Sequence, residues 1–253
     1  MDLKLHGKTA LITGGTKGIG AGIARVLASE GVNTILVYRS DPSGAEQFAA
    51  SLRTEFSVLA KAVRCDITDK AAVERMYDEI LTEYKRIDIL INNAAGGTPE
   101  GKAFFDLTGD EWERCMEGCL TPVFTMSRRF AAECRRRGHG GHIVNVSAKA
   151  AFVSRSKRKV PYATAKGAIA AMTRSMANEL IDDGITVNAI IPGYVLSNYY
   201  SDPESPQCKT KEKELRIGWA TPEDMGNITA FLCSECSRQI IGALIDCSGG
   251  TMY

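Results

Sequence analysis

Tyr162-Ala163-Thr164-Ala165-Lys166 places a phenol and an ammonium group four residues apart. On a helix this spacing puts both side chains on one face, about one turn apart. A free tyrosine ionises near pH ~10, too high for efficient proton transfer at neutral pH. A neighbouring ammonium favours the phenolate and is expected to bring that value down. Tyr-x-x-x-Lys alone is a weak signal, because both residue types are common. Its weight comes from Ser147, which follows the apolar run His142-Ile143-Val144-Asn145-Val146 and so brings a hydroxyl out at a strand's carboxyl end. Taken singly, Ser147 need only end a strand, Tyr162 could be a surface tyrosine and Lys166 a solvated helix charge. Together they offer an oxygen-binding hydroxyl, a proton donor and a cation.

A second set of residues would hold a nucleotide. Lys8-Thr9-Ala10-Leu11-Ile12 reads as a short buried strand, followed by Thr13-Gly14-Gly15-Thr16-Lys17-Gly18-Ile19-Gly20 and a segment of helical composition, Ala21 to Glu30. A glycine-rich turn between strand and helix lets the backbone approach a pyrophosphate, which sits against the partial positive charge of the helix N-terminus. The spacing is G-x-x-x-G-x-G. An ordinary tight turn accounts for one glycine, but not for three with a helix beginning on the last.

The elements that must position these groups alternate strand and helix throughout, with no linker, repeat or low-complexity segment. Strands are expected near 8–13, 33–38, 59–65, 87–91, 141–146, 185–191 and 243–247, and helices over 18–30, 43–57, 69–85, 110–136, 160–181 and 222–234. Ile87-Asp88-Ile89-Leu90-Ile91 and Ile185-Thr186-Val187-Asn188-Ala189-Ile190 are nearly continuous apolar runs, as a parallel sheet covered on both faces requires. The fold class is therefore α/β: one domain over 1–253, a doubly wound Rossmann-type parallel sheet of about seven strands. Ligands bind such sheets outside the strands' carboxyl ends. The glycine turn, Asp66, Asn92–Gly96, Ser147 and Pro192 all fall there.

With these pieces in order, joined by Asn92-Asn93-Ala94-Ala95-Gly96, Pro192-Gly193 and Gly249-Gly250, the chain resembles the classical short-chain dehydrogenase/reductase family over nearly its whole length. Within that family it is most similar to 3-oxoacyl-(acyl-carrier-protein) reductase-like members, a group that grades into alcohol, sugar and steroid dehydrogenases. The resemblance implies a nicotinamide cofactor held by Gly14, Thr16, Lys17, Gly18, Ile19 and Gly20 in the turn, and by Arg39 and Ser40 after the second strand. It further implies Asp66 and Ile67, then Asn93, Ala94 and Ala95, then Tyr162 and Lys166, and finally Pro192, Gly193, Val195 and Ser197. Ser147 would stabilise the substrate oxygen, Tyr162 would exchange the proton, and Lys166 would hold the nicotinamide ribose.

The cofactor expectation is NADP(H). The second strand ends in Tyr38-Arg39-Ser40, with no carboxylate where NAD-binding members place one, and Lys17 and Arg39 offer cations for a 2′-phosphate. The family's helix asparagine is replaced here by Cys119, and a thiol is a poor hydrogen-bonding group. Either the backbone carbonyl at 119 holds the relay water, or turnover is slow, or the protein is a catalytically weak NADP(H)-binding regulator. A lid is expected near 196–216, with Tyr199, Tyr200 and Trp219 able to line a pocket. Between Ser147 and Tyr162 lies the basic stretch Ser154-Arg155-Ser156-Lys157-Arg158-Lys159, which could remain a solvated loop or attract an acidic acyl carrier protein or coenzyme A phosphates. Arg128, Arg129 and Arg135-Arg136-Arg137 could extend that surface. The family also implies a homo-tetramer or dimer.

Bulk properties set limits. The 253 residues are ample for one core. A net charge of +1 provides no global field for nucleic acid. No apolar run reaches membrane-spanning length, and the first residues lack a signal peptide's hydrophobic region, so a cytoplasmic location is expected. The eight cysteines lack the paired spacing of a metal site. Cys233 and Cys236 are formally C-x-x-C but fall in the apolar segment 225–236, so buried free thiols and no metal are expected.

Overall fold

Odd and even positions of the central strands face two different cores, which is why their sequences are apolar throughout. In β1 (Thr9–Thr13), Ala10 and Ile12 enter one core and Leu11 the other. In β4 (Ile89–Asn92), Ile89 and Ile91 oppose Leu90 in the same way. The computed structural model describes residues 2–97, 101–153, 157–197 and 200–252. With β2 (Asn33–Tyr38), β3 (Ala60–Arg64), β5 (Gly141–Val146), β6 (Ile185–Pro192) and β7 (Leu244–Cys247), these strands make a parallel seven-stranded sheet in the order β3-β2-β1-β4-β5-β6-β7. The chain works outward from β1 to β3 and then restarts at β4 on the other side of β1. This opens a crevice at the carboxyl ends of β1 and β4, the usual ligand position in such sheets.

Helices α1 (Gly18–Ser29), α2 (Pro42–Phe56) and α8 (Pro222–Leu232) cover one face through residues such as Ile23, Leu27, Leu52 and Met225. Helices α3 (Lys70–Glu83), α5 (Thr121–Arg137) and α6 (Val160–Leu180) cover the other through Val73, Tyr77, Phe130 and Ala177. Helix α4 (Gly109–Cys119) precedes α5, and α7 (Pro206–Glu212) lies in the segment expected to form a lid. Side chains cap several N-termini: Asp41 on α2, Asp69 on α3, and capping boxes at Thr108 on α4 and Thr221 on α8. Each such cap stabilises its helix by about 1 kcal/mol. Among the described residues, no helix is long and apolar enough to cross a membrane.

Two expectations are corrected. The single helix expected over 110–136 is two helices meeting at Leu120. Pro122 lacks the N–H that would bond the carbonyl of Gly118 one turn earlier, so the ladder breaks there. Helix α8 ends at Leu232, before the C-x-x-C pair, and a short 3-10 turn spans Glu235–Ser237. Cys236 is consequently exposed, while the other seven cysteines are buried and all eight are free thiols.

Candidate active site

Helix α1 begins at Gly18, and its N-cap Lys17 makes no side-chain capping bond; its first turn has no acidic residue either. The N–H groups there are left for a ligand, and the local field favours an anion. The turn before it is held tightly. A Cβ on Gly20 would lie 2.2 Å from the Gly14 carbonyl oxygen, so only glycine permits this approach. Asn93 braces the turn from β4, donating from Nδ2 to the carbonyls of Thr13 (3.0 Å) and Gly14 (3.2 Å). Thr13 Oγ1 accepts the N–H groups of Asn93 and Ala94.

A cleft of about 520 Å³ opens beside this turn. Of the residues expected to bind cofactor, Gly14, Thr16, Lys17, Arg39, Ser40, Asp66, Ile67, Ala94 and Ala95 line it. Gly18, Ile19 and Gly20 form the first turn of α1 against it. Thr68 N–H and Oγ1–H bonds hold the Asp66 carboxyl below its ordinary range. Pro192 ends β6 and Gly193 follows it; Val195 pairs with Ala220 and Ser197 with Tyr200 beyond the sheet. These last four residues are not part of that cleft wall.

The wall also holds three charged residues that the sequence reading does not single out, Asp41, Arg114 and Glu117. Asp41 accepts from Gly44 N–H as the cap of α2 and forms an ion pair with Lys17 at 2.7 Å. Lys17 therefore enters the cleft already partnered, a correction to its reading as an open cation. The signal was present as Asp41-Pro42-Ser43, a cap residue before a helix-starting proline. Arg114 and Glu117 come from α4, and nothing in their local sequence marks them.

The break at Pro122 also shapes the cleft. The Gly118 carbonyl, freed from the helix, accepts the N–H of Gly96 at 3.1 Å. The Cys119 thiol donates to the Gly96 carbonyl at 3.0 Å. The loop after β4 is thus clamped to α4 from both sides. Val123 N–H bonds Leu120 O at 3.1 Å, so it does not serve the Cys119 carbonyl as it would in a continuous helix.

The residues expected to carry the chemistry lie next along the sheet. Ser147 follows β5, is buried, and donates to the Lys166 carbonyl at 2.8 Å. Tyr162 and Lys166 share a face of α6, and Tyr162 packs on Cys115, Cys119 and Ala165. The expected pKa relation between them is corrected. Lys166 Nζ donates to the Val146 carbonyl at 2.7 Å and stands 5.9 Å from the Tyr162 ring centroid. Burial pushes the tyrosine up to about 12, with Cys119 and Cys115 adding to the rise. Burial likewise pushes Lys166 down to about 8, against the opposing influence of the same thiols. The charge loses more from desolvation than the phenol gains from its neighbour. Tyr162 therefore keeps its proton at pH 7.

Tyr200 and Trp219 pack with Tyr194, with ring centroids 5.2–6.1 Å apart. Tyr199 and Arg155 lie outside the described residues. Lys157 and Arg158 are exposed beside α6. Four of the α5 arginines are engaged by carboxylates and do not extend that basic surface, while Arg128 is exposed. Arg129 bonds Glu74, Asp78 and Glu133; Arg136 and Arg137 bond Glu133; Arg135 bonds Asp183. The end of α5 feeds the amino end of β5, opposite the site.

The fold agrees with known proteins. A short chain dehydrogenase family model matches residues 8–206, and the chain belongs to the short-chain dehydrogenase/reductase family. It is 32% identical over 252 residues to the 3-oxoacyl-(acyl-carrier-protein) reductase of Aquifex aeolicus, covering 99% of both chains. A short chain dehydrogenase from Burkholderia cenocepacia, solved in complex with NADP, is similar with a TM-score of 0.89 and 27% identity over 99% of this chain and 100% of that one. A 7α-hydroxysteroid dehydrogenase complexed with NADH and 7-oxo glycochenodeoxycholic acid also scores 0.89, at 31% identity over 98% and 96%. The protein is thus an oxidoreductase of a family that uses nicotinamide cofactors.

Proposed function

We propose that this protein is an NADPH-dependent reductase that converts a 3-oxoacyl thioester, on acyl carrier protein or coenzyme A, to the 3-hydroxyacyl thioester. The observation carrying the reading is the meeting of Ser147, Tyr162 and Lys166 at the end of β5, one strand from the nucleotide cleft. The residues fit the cofactor: the glycine turn is a cradle that a Cβ would fill, and α1 presents an uncapped N-terminus. Bound there, the dihydronicotinamide supplies the hydride. Ser147 must turn its hydroxyl from the Lys166 carbonyl to the substrate oxygen, stabilising charge as it develops. Tyr162, neutral and half-buried, gives that oxygen its proton. Lys166, which donates to the Val146 carbonyl, would hold the cofactor's ribose.

NADP(H) rather than NAD(H) is supported by Arg39. Its guanidinium lies on the cleft near Gly96 and helps keep Asp66 ionised, where it can take a 2′-phosphate in a planar, charge-assisted contact. The exposed Lys157 and Arg158 support docking of an acidic carrier beside α6. Segment 196–216 would serve as the lid. Phe105, 96% exposed, together with Trp112 and Phe124 supports association of copies through the α4–α5 region. Eight free thiols fit a cytoplasmic setting. The decisive assay measures NADPH and NADH oxidation with 3-oxoacyl thioesters, sugars, steroids and simple ketones, in wild type and Tyr162→Phe. The variant should lose about 10²–10⁴-fold in turnover while still binding NADPH. Retention of more than about a third of turnover would remove the tyrosine from the chemistry. Inactivity of the wild type on the whole panel would favour a regulatory NADP(H)-binding protein.

A further inference from the structure

A half-buried lysine stands beside the candidate serine without a carboxylate of its own. Ala148 is extended (φ −158°, ψ 149°), so Ser147 and Lys149 emerge on the same side of the chain. Their Cα atoms are at most ~7 Å apart. Lys149 opens a short 3-10 turn, Lys149–Ala151, which packs against α6, the helix of Tyr162 and Lys166. Its Nζ stands 3.3 Å from the ring centroid of Tyr194 and donates to Thr251 Oγ1 at 3.2 Å. Tyr194 itself lies two residues beyond Pro192, at the next strand end. The ammonium is thus fixed between the loops after β5, β6 and β7.

The acid facing Lys149 is Glu214, but its carboxylate accepts from Tyr194 Oη (2.6 Å) and Lys211 Nζ (2.7 Å). Among the described residues Lys149 forms no ion pair. Burial depresses its pKa to about 8; Glu214 opposes this, while Lys211 on α7 and Lys159 at the start of α6 add to it. A partly desolvated ammonium held on an aromatic face, with one neutral acceptor, retains donor capacity toward a ligand. A neutral ketone gives it nothing to bind. A 3-oxoacyl group carries a second oxygen function two carbons from the reacting carbonyl, an acceptor that such a ketone lacks.

We propose that Lys149 is a specificity residue whose ammonium group takes the acyl oxygen of a 3-oxo substrate, as a thioester carbonyl or a free carboxylate, while Ser147 and Tyr162 engage the 3-oxo group. The assignment rests on the carbonyl chemistry proposed above. The test compares wild type and Lys149→Met, which keeps the stem length and removes the ammonium. Both are assayed with NADPH on a 3-oxoacyl thioester, the corresponding free 3-oxo acid, and a ketone of equal length lacking the acyl oxygen. The kcat/KM ratio of acyl substrate to ketone should fall about 10–100-fold, the size of a lost hydrogen bond from a charged group. A larger fall for the free acid identifies the carboxylate as the natural group, and a larger fall for the thioester identifies the carbonyl. In wild type, the kcat/KM ratio of free acid to ketone should drop as pH rises through about 8, a step that the Met variant should lack, because loss of the Lys166 proton acts on both substrates alike. An unchanged ratio, or a step surviving in the variant, overturns the role of Lys149 and leaves the carbonyl chemistry standing. No reduction of any of the three by wild type overturns both.

Discussion

Replacing Lys166 with methionine should make the protein more stable at neutral pH and less stable at high pH relative to wild type, while abolishing turnover. A buried pKa of about 8 in place of 10.5 means that the fold disfavours the ammonium by roughly 3 kcal/mol, at 1.36 kcal/mol per pKa unit. Methionine preserves most of the stem's packing and removes that cost. It also strips the Val146 carbonyl of its donor, which costs about 1–3 kcal/mol. At pH 7 the balance favours the variant by roughly 0–2 kcal/mol. As pH rises from 8 toward 10.5, the folded wild type sheds the proton while its unfolded chain keeps it. The unfolded state then binds more protons, and wild type gains stability with pH. By pH 10 it should have regained roughly 2–3 kcal/mol on the variant, reversing the order. Urea unfolding of both proteins without cofactor at pH 7, 8, 9 and 10 measures this. The thiols and tyrosines exposed on unfolding are common to both and cancel in the difference. A difference that does not change with pH would show that Lys166 is not held as a desolvated ammonium, and the account of the site's electrostatics would fail.

Arg39→Ala should lower the preference for NADPH over NADH by about 10–100-fold, read as the ratio of kcat/KM values, since it removes a charge-assisted contact to one cofactor only; an unchanged ratio would place the 2′-phosphate elsewhere. Cys119→Asn should leave kcat within about threefold, because the backbone at 119 already departs from helical bonding, and should raise the KM for NADPH by loosening Gly96; a large rise in kcat would instead show that the thiol limits a proton relay. Changing Lys157, Arg158 and Lys159 to serine should raise KM for a carrier-bound or coenzyme A substrate and not for a small ketone, an effect that shrinks in high salt. Equal effects on both substrates would leave only a solvated loop.

The strands and their faces were legible because a parallel sheet demands unbroken apolar runs, and Ala10-Leu11-Ile12 and Ile89-Leu90-Ile91 supply them. The glycine turn was legible for a similar reason, since Gly14 and Gly20 approach too closely for any side chain. Legibility ended where outcome depends on competition between distant groups. Tyr162 and Lys166 were expected to interact mainly with each other, yet the lysine finds the Val146 carbonyl from another element. The basic run on α5 could not be read as neutralised without Glu74, Asp78 and Asp183, which are remote in sequence. Lys149 was hidden among Ala148, Ala150 and Ala151, and only Tyr194 and Thr251 give it significance. Pro122 was visible, but its effect on the site required knowing which loop would meet the carbonyl it releases.

That carbonyl has a consequence for how the molecule tolerates change. The bond between Gly96 N–H and Gly118 O joins two main-chain groups, so substitution of the neighbouring side chains does not remove either partner. What keeps the acceptor open is the absence of a hydrogen on Pro122, a ring buried in α5 and outside the cleft wall. A survey of residues lining the cleft would pass over it. Yet restoring an N–H at position 122 would offer Gly118 O a competing donor and set helix continuity against loop attachment. The geometry of the nucleotide cleft is in this sense stored outside the cleft, in a missing atom.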